Sequence, residues 1–300
     1  MLEPQLGMSV SRLLEMAETA ERLGFGYLYR SDHLIDTGGR KGRESHECWT
    51  TLAAIATRTS SIKFGPLVSP IGFRNPAVLA TMTRTVHSLA KGRLQLGVGA
   101  GWYEHEYVSY GIPFPPFKVR DEQLDEALQI IRPATQGKSV DFRGKHFSAR
   151  LEGRPSSAGR IHLVIGGAPR SIIRKAAKYA DEWNFTSLPS PERMKEARAI
   201  LGSAGRHVEV SQMGSFVIAE NEAQLRQKAR AMMRKAGAGG DAESYLKQLR
   251  SKGRIAEPAK NFGDRLGELM DAGVEKFYFQ VLDPSDTESV DLLASVLKRV

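Results

Sequence analysis

Side chains that can titrate or bind enter this chain abruptly, straight after apolar runs. GFGYLYRSDHL, residues 24–34, begins as an interior strand with Phe25, Tyr27, Leu28 and Tyr29, then delivers Arg30, Ser31, Asp32 and His33 together. An imidazole titrates near neutrality, so His33 can give or take a proton, and Asp32 beside it can orient a bound group. LVSPIGFRNP (67–76), GVGAGWYEHE (97–106), VIGGAPRS (164–171) and WNFTS (183–187) show similar changes of character. In VIGGAPRS, Gly166 and Gly167 carry no Cβ, so backbone N–H groups can approach a ligand. A helix starting near Pro169 adds N–H groups suited to an anion or a polar chain. A tight strand-to-helix turn without a ligand is the plainer reading. GVGAGW places glycines at 97, 99 and 101, but Trp102 stands where the dinucleotide fingerprint requires glycine or alanine. A glycine-rich strand end beside Trp102 suits a flat aromatic ligand; a tryptophan capping the core is the alternative.

Other chemistries find less support. EHE at 104–106 and HEC at 46–48 lack HExxH or any known ligand spacing, so they read as solvated faces and no metal is expected. Cys48 is the only cysteine, which excludes an intrachain disulfide and a multi-thiolate cluster. It reads as a small buried hydrophobe rather than a nucleophile. Neither a GxSxG elbow nor a GxxxxGK[ST] loop is present.

The elements that must carry these residues alternate almost to the end. SVSRLLEMAETAERLG places Leu13, Ala17 and Ala20 on one helical face, with Ser9 or Ser11 as cap and Gly24 as stop. Strand-like GYLYRSD, IKFGPLVSP, RLQLGVGAG, IHLVIGG, DEWNFTS, HVEVSQMGSFVIAE and VEKFYFQVL alternate with amphipathic helices. Continuous apolar strands joined by helices imply a parallel sheet covered on both faces. The expected fold is an α/β TIM barrel with insertions; an open doubly wound sheet is the alternative. An eighth strand must precede Gln5, where only MLEP stands, so the first strand is short or starts upstream of the residues given. Residues 1–300 read as a single domain, with a hairpin insertion near 138–153 and a Gly-rich, basic excursion near 237–257. In such a barrel the site lies at the carboxyl ends of the strands, which turns the stretches above into a candidate list.

The net charge of +9 is spread over both halves without a basic tail, which is weak evidence for nucleic acid and fits an anionic small molecule equally well; no nucleic-acid partner is expected. No apolar run of about 18 residues or more exists to span a membrane, and the first residues do not read as a secretory signal. One cysteine suits a cytoplasmic protein.

Taken in order, the segments AERLGFGYLYRSDHL, ECWTTLAAIATRTSSIKFGPLVSPIGFRNPAVLA, KGRLQLGVGAGWYEHEYVSYGIPFPP, LVIGGAPRSIIRKAAKYADEWNF and LMDAGVEKFYFQ resemble the luciferase-like monooxygenase superfamily. More narrowly they resemble its branch of coenzyme F420-dependent oxidoreductases. The resemblance covers nearly the whole chain. It implies an enzyme with a TIM barrel that binds a flavin or deazaflavin across the carboxyl ends of the strands and transfers a hydride to a small-molecule substrate. It implies that Asp32 and His33 lie beside the ring system, with Asp32 orienting or hydrogen-bonding it rather than acting as a base. His33 would exchange the coupled proton or only hydrogen-bond the cofactor. Leu67, Val68 and Ser69 match the third strand end, where many members carry a non-prolyl cis peptide. Gly99, Ala100, Gly101 and Trp102 match the fourth-strand loop, and Gly166, Gly167 and Ala168 the segment along the cofactor's side chain. Some sugar-phosphate dehydrogenases of the superfamily have an acidic glutamate where Trp102 stands, so their mechanism does not transfer. LRQKARAMMRKAG and KQLRSKGR are candidate basic lips for the anionic F420 tail. FMN with oxygen activation is the rival cofactor, a non-catalytic flavin-binding barrel a further alternative, and a homodimer is compatible with the resemblance.

Overall fold

A computed structural model describes residues 1–40, 42–154, 158–187, 190–236, 239–283 and 285–299, without the side chains of 235 and 236. The chain divides into two compact units, Met1–Asn184 with Ala197–Glu209, and Phe185–Glu196 with Val210–Val300. No helix among the described residues is long and apolar enough to cross a membrane.

The first unit runs α1 (Val10–Leu23), β1 (Tyr27–Arg30), α2 (Cys48–Arg58), β2 (Lys63–Pro66), β3 (Ser69–Pro70), α3 (Pro76–Leu89), β4 (Gln95–Gly99), α4 (Glu104–Ser109), α5 (Phe117–Thr135), β5 (Val140–Arg143), β6 (Ser148–Leu151), β7 (His162–Gly166), α6 (Arg170–Tyr179) and β8 (Glu182–Phe185, whose last residue falls in the second unit). α1 starts where the Ser9 side chain accepts from the Arg12 N–H, and stops at Gly24, whose φ of 88° favours glycine. Its buried face is Leu13, Met16, Ala17 and Ala20. Burying one such leucine stabilises the fold by about 1.5–3 kcal/mol. The strands are parallel, with Tyr29 level with Gly65, Ser69 with Val98, Gly97 with Val164 and Ile165 with Trp183. All five residues of β4 are buried, as expected of a strand covered on both faces. Leu2 bridges the neighbouring strand. The Leu2 N–H donates to the Tyr29 carbonyl and the Ser31 N–H to the Leu2 carbonyl, a parallel bridge one residue long.

The expected hairpin is the antiparallel β5–β6 pair, with Val140 level with Leu151. α7 (Pro191–Gly202) spans both units. The second unit then contains most of β9 (Glu209–Ala219), α8 (Glu222–Ala236), α9 (Ala242–Ser251), β10 (Ile255–Pro258), α10 (Ala259–Asp271), β11 (Lys276–Gln280) and α11 (Thr287–Leu297). The Gly-rich, basic stretch near 237–257 carries α9 and most of β10. Residues 237–238 lie outside the described residues, but α9 is capped by Asp241, and β10 pairs in parallel with Phe216–Ala219 of β9. Leu246 and Ala256 are buried with Val217, Leu225 and Ala229 in a core of their own. Glycines and basic residues masked the periodicity of this segment.

Candidate active site

At the end of β1 the polar cluster divides. Arg30 is 1 % exposed, and its guanidinium turns towards α2, donating to the Ser31 and His46 carbonyls at 2.9 Å each and to the Thr51 hydroxyl. Ser31 donates to Gln5 at 2.6 Å. These two residues anchor the strand end. Asp32 accepts from Ser69 Oγ at 2.6 Å and from Arg74 Nη1 and Nη2 at 2.6 and 3.1 Å. Ser69 Oγ in turn accepts from Trp49 Nε1 at 3.1 Å. Burial alone would lower the Arg74 pKa, but the Asp32 and Glu47 carboxylates outweigh it and hold it above its ordinary value. Burial likewise opposes the charge of Glu47; the Thr50 N–H and Arg74 outweigh it and hold the carboxyl below its ordinary value. Cys48 is buried and its thiol is pushed up by burial, then by Asp32, in keeping with a structural role.

His33 points the other way. Its Nδ1 lies 2.9 and 3.1 Å from the two carboxylate oxygens of Glu106. The Leu34 N–H donates to the same carboxylate at 3.0 Å. The expectation that EHE is a solvated face fails at Glu106, whose side chain is fully buried, while Glu104 and His105 are exposed. Glu106 sits in the first turn of α4, and the helical turn directs it inward while its two predecessors face water. Trp102 and Tyr103 stand edge-on to the imidazole at 5.8 and 6.5 Å between ring centroids. Trp102 is 65 % exposed, which removes the reading of it as a plug of the core. Tyr107 is buried next to Glu106, and its Oη finds no hydrogen-bond partner among the described residues. Burial, followed by the Glu106 charge, pushes its phenol pKa up.

The glycines serve a purpose that the sequence did not reveal. The Leu67–Val68 peptide is cis, as the resemblance implies, and the Leu67 N–H donates to the Arg30 carbonyl at 2.8 Å. A Cβ at Gly99 would meet Val68 Cγ2 at 2.7 Å; one at Gly166 would meet Val68 Cγ1 at 2.9 Å, and one at Gly97 the same atom at 3.1 Å. β4 and β7 therefore form a glycine floor that seats Val68. At Gly101 a Cβ would meet Tyr107 Oη at 2.1 Å, and φ there is 78°. The expectation that Gly167 offers its N–H to a ligand is also corrected, since that N–H donates to the Asn184 carbonyl at 3.0 Å. Ala168 is exposed, and α6 begins after Pro169 with no side-chain cap.

Direct contacts thus join Asp32 to Ser69, Leu67 to Arg30, Val68 to Gly99 and Gly166, and His33 to Trp102. Ala100 borders them in the chain, and Gly167 and Ala168 form the β7–α6 turn. Sequence reasoning missed Arg74, Glu106 and Tyr107. The distance along the chain from Asp32 to Arg74 hides the first, and the surrounding exposed, charged residues hide the second. A groove of about 920 Å³, lined by Arg84, Lys138, Arg150 and Arg154 among others, follows α3 and the hairpin and contains none of these residues. Of the suggested basic lips, Arg226 and Lys228 lie near Glu243 and Asp286, and Arg250 pairs with Glu257 at 2.7 Å.

Comparison with known proteins gives these observations a context. A family model described as luciferase-like monooxygenase matches residues 2–278. An F420-dependent glucose-6-phosphate dehydrogenase of Amycolatopsis mediterranei is 32 % identical over 181 residues, 58 % of this chain and 53 % of that protein. The chain thus spans about half the length of the F420-dependent relatives it matches. A pyrimidine monooxygenase RutA of Pseudomonas savastanoi is 27 % identical over 306 residues, 93 % of this chain and 82 % of that protein. Among solved structures, monooxygenase RslO1 from Streptomyces bottropensis superposes with a TM-score of 0.81 at 19 % identity, covering 98 % of this chain and 94 % of the other. An F420-dependent secondary alcohol dehydrogenase superposes at 0.78 and 19 % identity, covering 97 % and 94 %. The alternating elements fit the α/β barrel anticipated, the luciferase-like form is the one the resemblance implied, and the chain belongs to the luciferase-like monooxygenase family.

Proposed function

We propose that this protein is an oxidoreductase that transfers a hydride between coenzyme F420 and a small organic substrate at the carboxyl ends of β1 to β4 and β7. The observation that carries this reading is the arrangement around His33. Its Nε2 has no partner among the described residues, whereas Nδ1 is held by Glu106. Exposed Trp102 and half-buried Val68 present an aromatic face and a branched apolar surface at the same strand ends. Such a set fits a planar, conjugated ring with a polar edge. F420 is favoured over FMN because the F420-dependent relatives reach 32 % identity, against 26–29 % for the RutA proteins.

When bound, the reduced deazaflavin supplies the hydride. The chain does the rest. Val68, held on its glycine floor, gives the ring a fixed surface to rest on. Asp32 has both oxygens engaged by Ser69 and Arg74, which suits orientation of the strand end rather than proton exchange. His33 is the group placed to move the proton that accompanies the hydride. Trp102 and Tyr103 flank it edge-on. The sugar-phosphate substrate of the first relative is not carried over, because Trp102 cannot act as an acid.

Titration of the purified apoprotein with F420 and with FMN tests the reading. Saturable F420 binding, tighter than that of FMN, is expected. Tight FMN binding without F420 binding would replace it with the monooxygenase reading, which the longer RutA alignments favour.

A further inference from the structure

The strand ends supply His33, but the residue that decides what His33 can do comes from α4. Glu106 is fully buried and places both carboxylate oxygens around one imidazole nitrogen, at 2.9 and 3.1 Å from Nδ1. A buried carboxylate is stable only when its oxygens find donors. Nδ1–H is one, and the Leu34 N–H at 3.0 Å is another. The second bond matters because Leu34 adjoins His33, so carboxylate, imidazole and backbone form one small closed unit. The rings of Trp102 and Tyr103 stand edge-on to the imidazole at 5.8 and 6.5 Å between centroids. The remaining nitrogen, Nε2, has no partner within the described chain.

We propose that Glu106 is the positioning residue of this site, holding His33 in the Nδ1–H form so that Nε2 alone exchanges the proton coupled to hydride transfer. This rests on the oxidoreductase reading above and names the acceptor as a polarised double bond between carbon and a heteroatom. As the carbon gains the hydride and its two electrons from the reduced cofactor, the π bond breaks and charge develops on the heteroatom. The Nε2–H bond of the imidazolium breaks and its proton passes to that heteroatom. His33 ends neutral, still donating Nδ1–H to Glu106. The reverse oxidation runs with Nε2 as base. A carboxylate behind the imidazole is the arrangement that fixes tautomer and ring orientation in many proton-transferring histidines.

Selective ¹⁵N-histidine labelling of the full chain tests this, with His33→Gln assigning the resonance. In its neutral form, His33 is expected to be protonated at Nδ1 and bare at Nε2. In Glu106→Gln that single form is expected to give way to a mixture of the two tautomers. A residue that merely packed the loop would leave the tautomer unchanged. An Nε2–H form in the unmodified protein overturns the proposal, even if Glu106→Gln fails to fold; so does a variant that keeps the pure Nδ1–H form. Adding F420, then FMN, is expected to shift Nε2 more than Nδ1. If both cofactors leave Nε2 unmoved, the exchange role and the site reading fall together. A wrong tautomer with a shifted Nε2 overturns Glu106 alone.

Discussion

Two imidazole–carboxylate pairs stand at opposite ends of the parallel strands. His33 meets Glu106 just past the carboxyl end of β1, and His162 meets Glu182 at the amino ends of β7 and β8. Both glutamate side chains are fully buried. The difference lies in which nitrogen is used. At His33 the carboxylate takes Nδ1 and leaves Nε2 without a partner among the described residues. At His162 it is Nε2 that lies 3.2 Å from Glu182 and 3.5 Å from Glu209, so two carboxylates converge on the outer nitrogen. The same two residue types thus make a group able to exchange a proton in one place and a knot between neighbouring strands in the other. In barrels of this class the carboxyl ends carry chemistry and the amino ends carry stability.

Substitutions can break this contrast. His33→Gln is expected to lower F420-dependent turnover by about 10²- to 10⁴-fold, with the melting temperature little changed. Arg74→Met leaves the Asp32 carboxylate buried without its cation and should cost about 3–5 kcal/mol in urea unfolding, in addition to any loss of activity. Gly99→Ala pushes a methyl group into Val68 and is expected to cost about 1–3 kcal/mol. The double variant Gly99→Ala/Val68→Ala should recover part of that stability but not the cofactor affinity. Glu182→Gln removes one side of the amino-end knot. Because His162 is partly exposed, the expected cost is only about 1–2 kcal/mol, with turnover unchanged. If Glu182→Gln abolished turnover and His33→Gln did not, the assignment of the two ends would be reversed.

The smallest effect is a pH dependence at the amino end of β2. The Glu21 carboxylate accepts from the Ser60, Ser61 and Ile62 N–H groups. What burial it has opposes its charge, but these bonds outweigh it and hold its pKa at about 2 rather than 4.5. A depressed carboxylate stabilises the fold above its unfolded pKa, and the contribution fades as pH falls from about 4.5 towards 2. Glu21→Gln should therefore flatten the acid limb of a melting-temperature profile while leaving its neutral part nearly unchanged.

The contrast between the ends also shows what the sequence could and could not reveal. Strand-to-loop changes of character at RSDHL, LVSP and GVGAGW are local, and the structure places a contact network among them. The glycines were legible as necessary, but their reason was not. Only the fold shows that Gly99 and Gly166 make room for Val68, and Gly97 for the Pro66 carbonyl. Glu106 was hidden because helical rotation within α4, not composition, decides that it faces inward while Glu104 faces water. His162, Glu182 and Glu209 were invisible as a group. They are far apart in the chain, and only adjacent strand starts bring their ligand atoms within 4.8 Å of one another. The helix and strand within 237–257 were obscured by glycines and charges that satisfy no simple period.

The central claim is that the cofactor ring lies on the carboxyl-end network of Asp32, His33, Val68 and Trp102. A crystal structure of the protein with F420 tests it most directly. The account predicts the deazaflavin ring against Val68, with a polar edge or the substrate space within hydrogen-bonding reach of His33 Nε2. A ring bound far from both Val68 and His33 would contradict it, whatever the affinity.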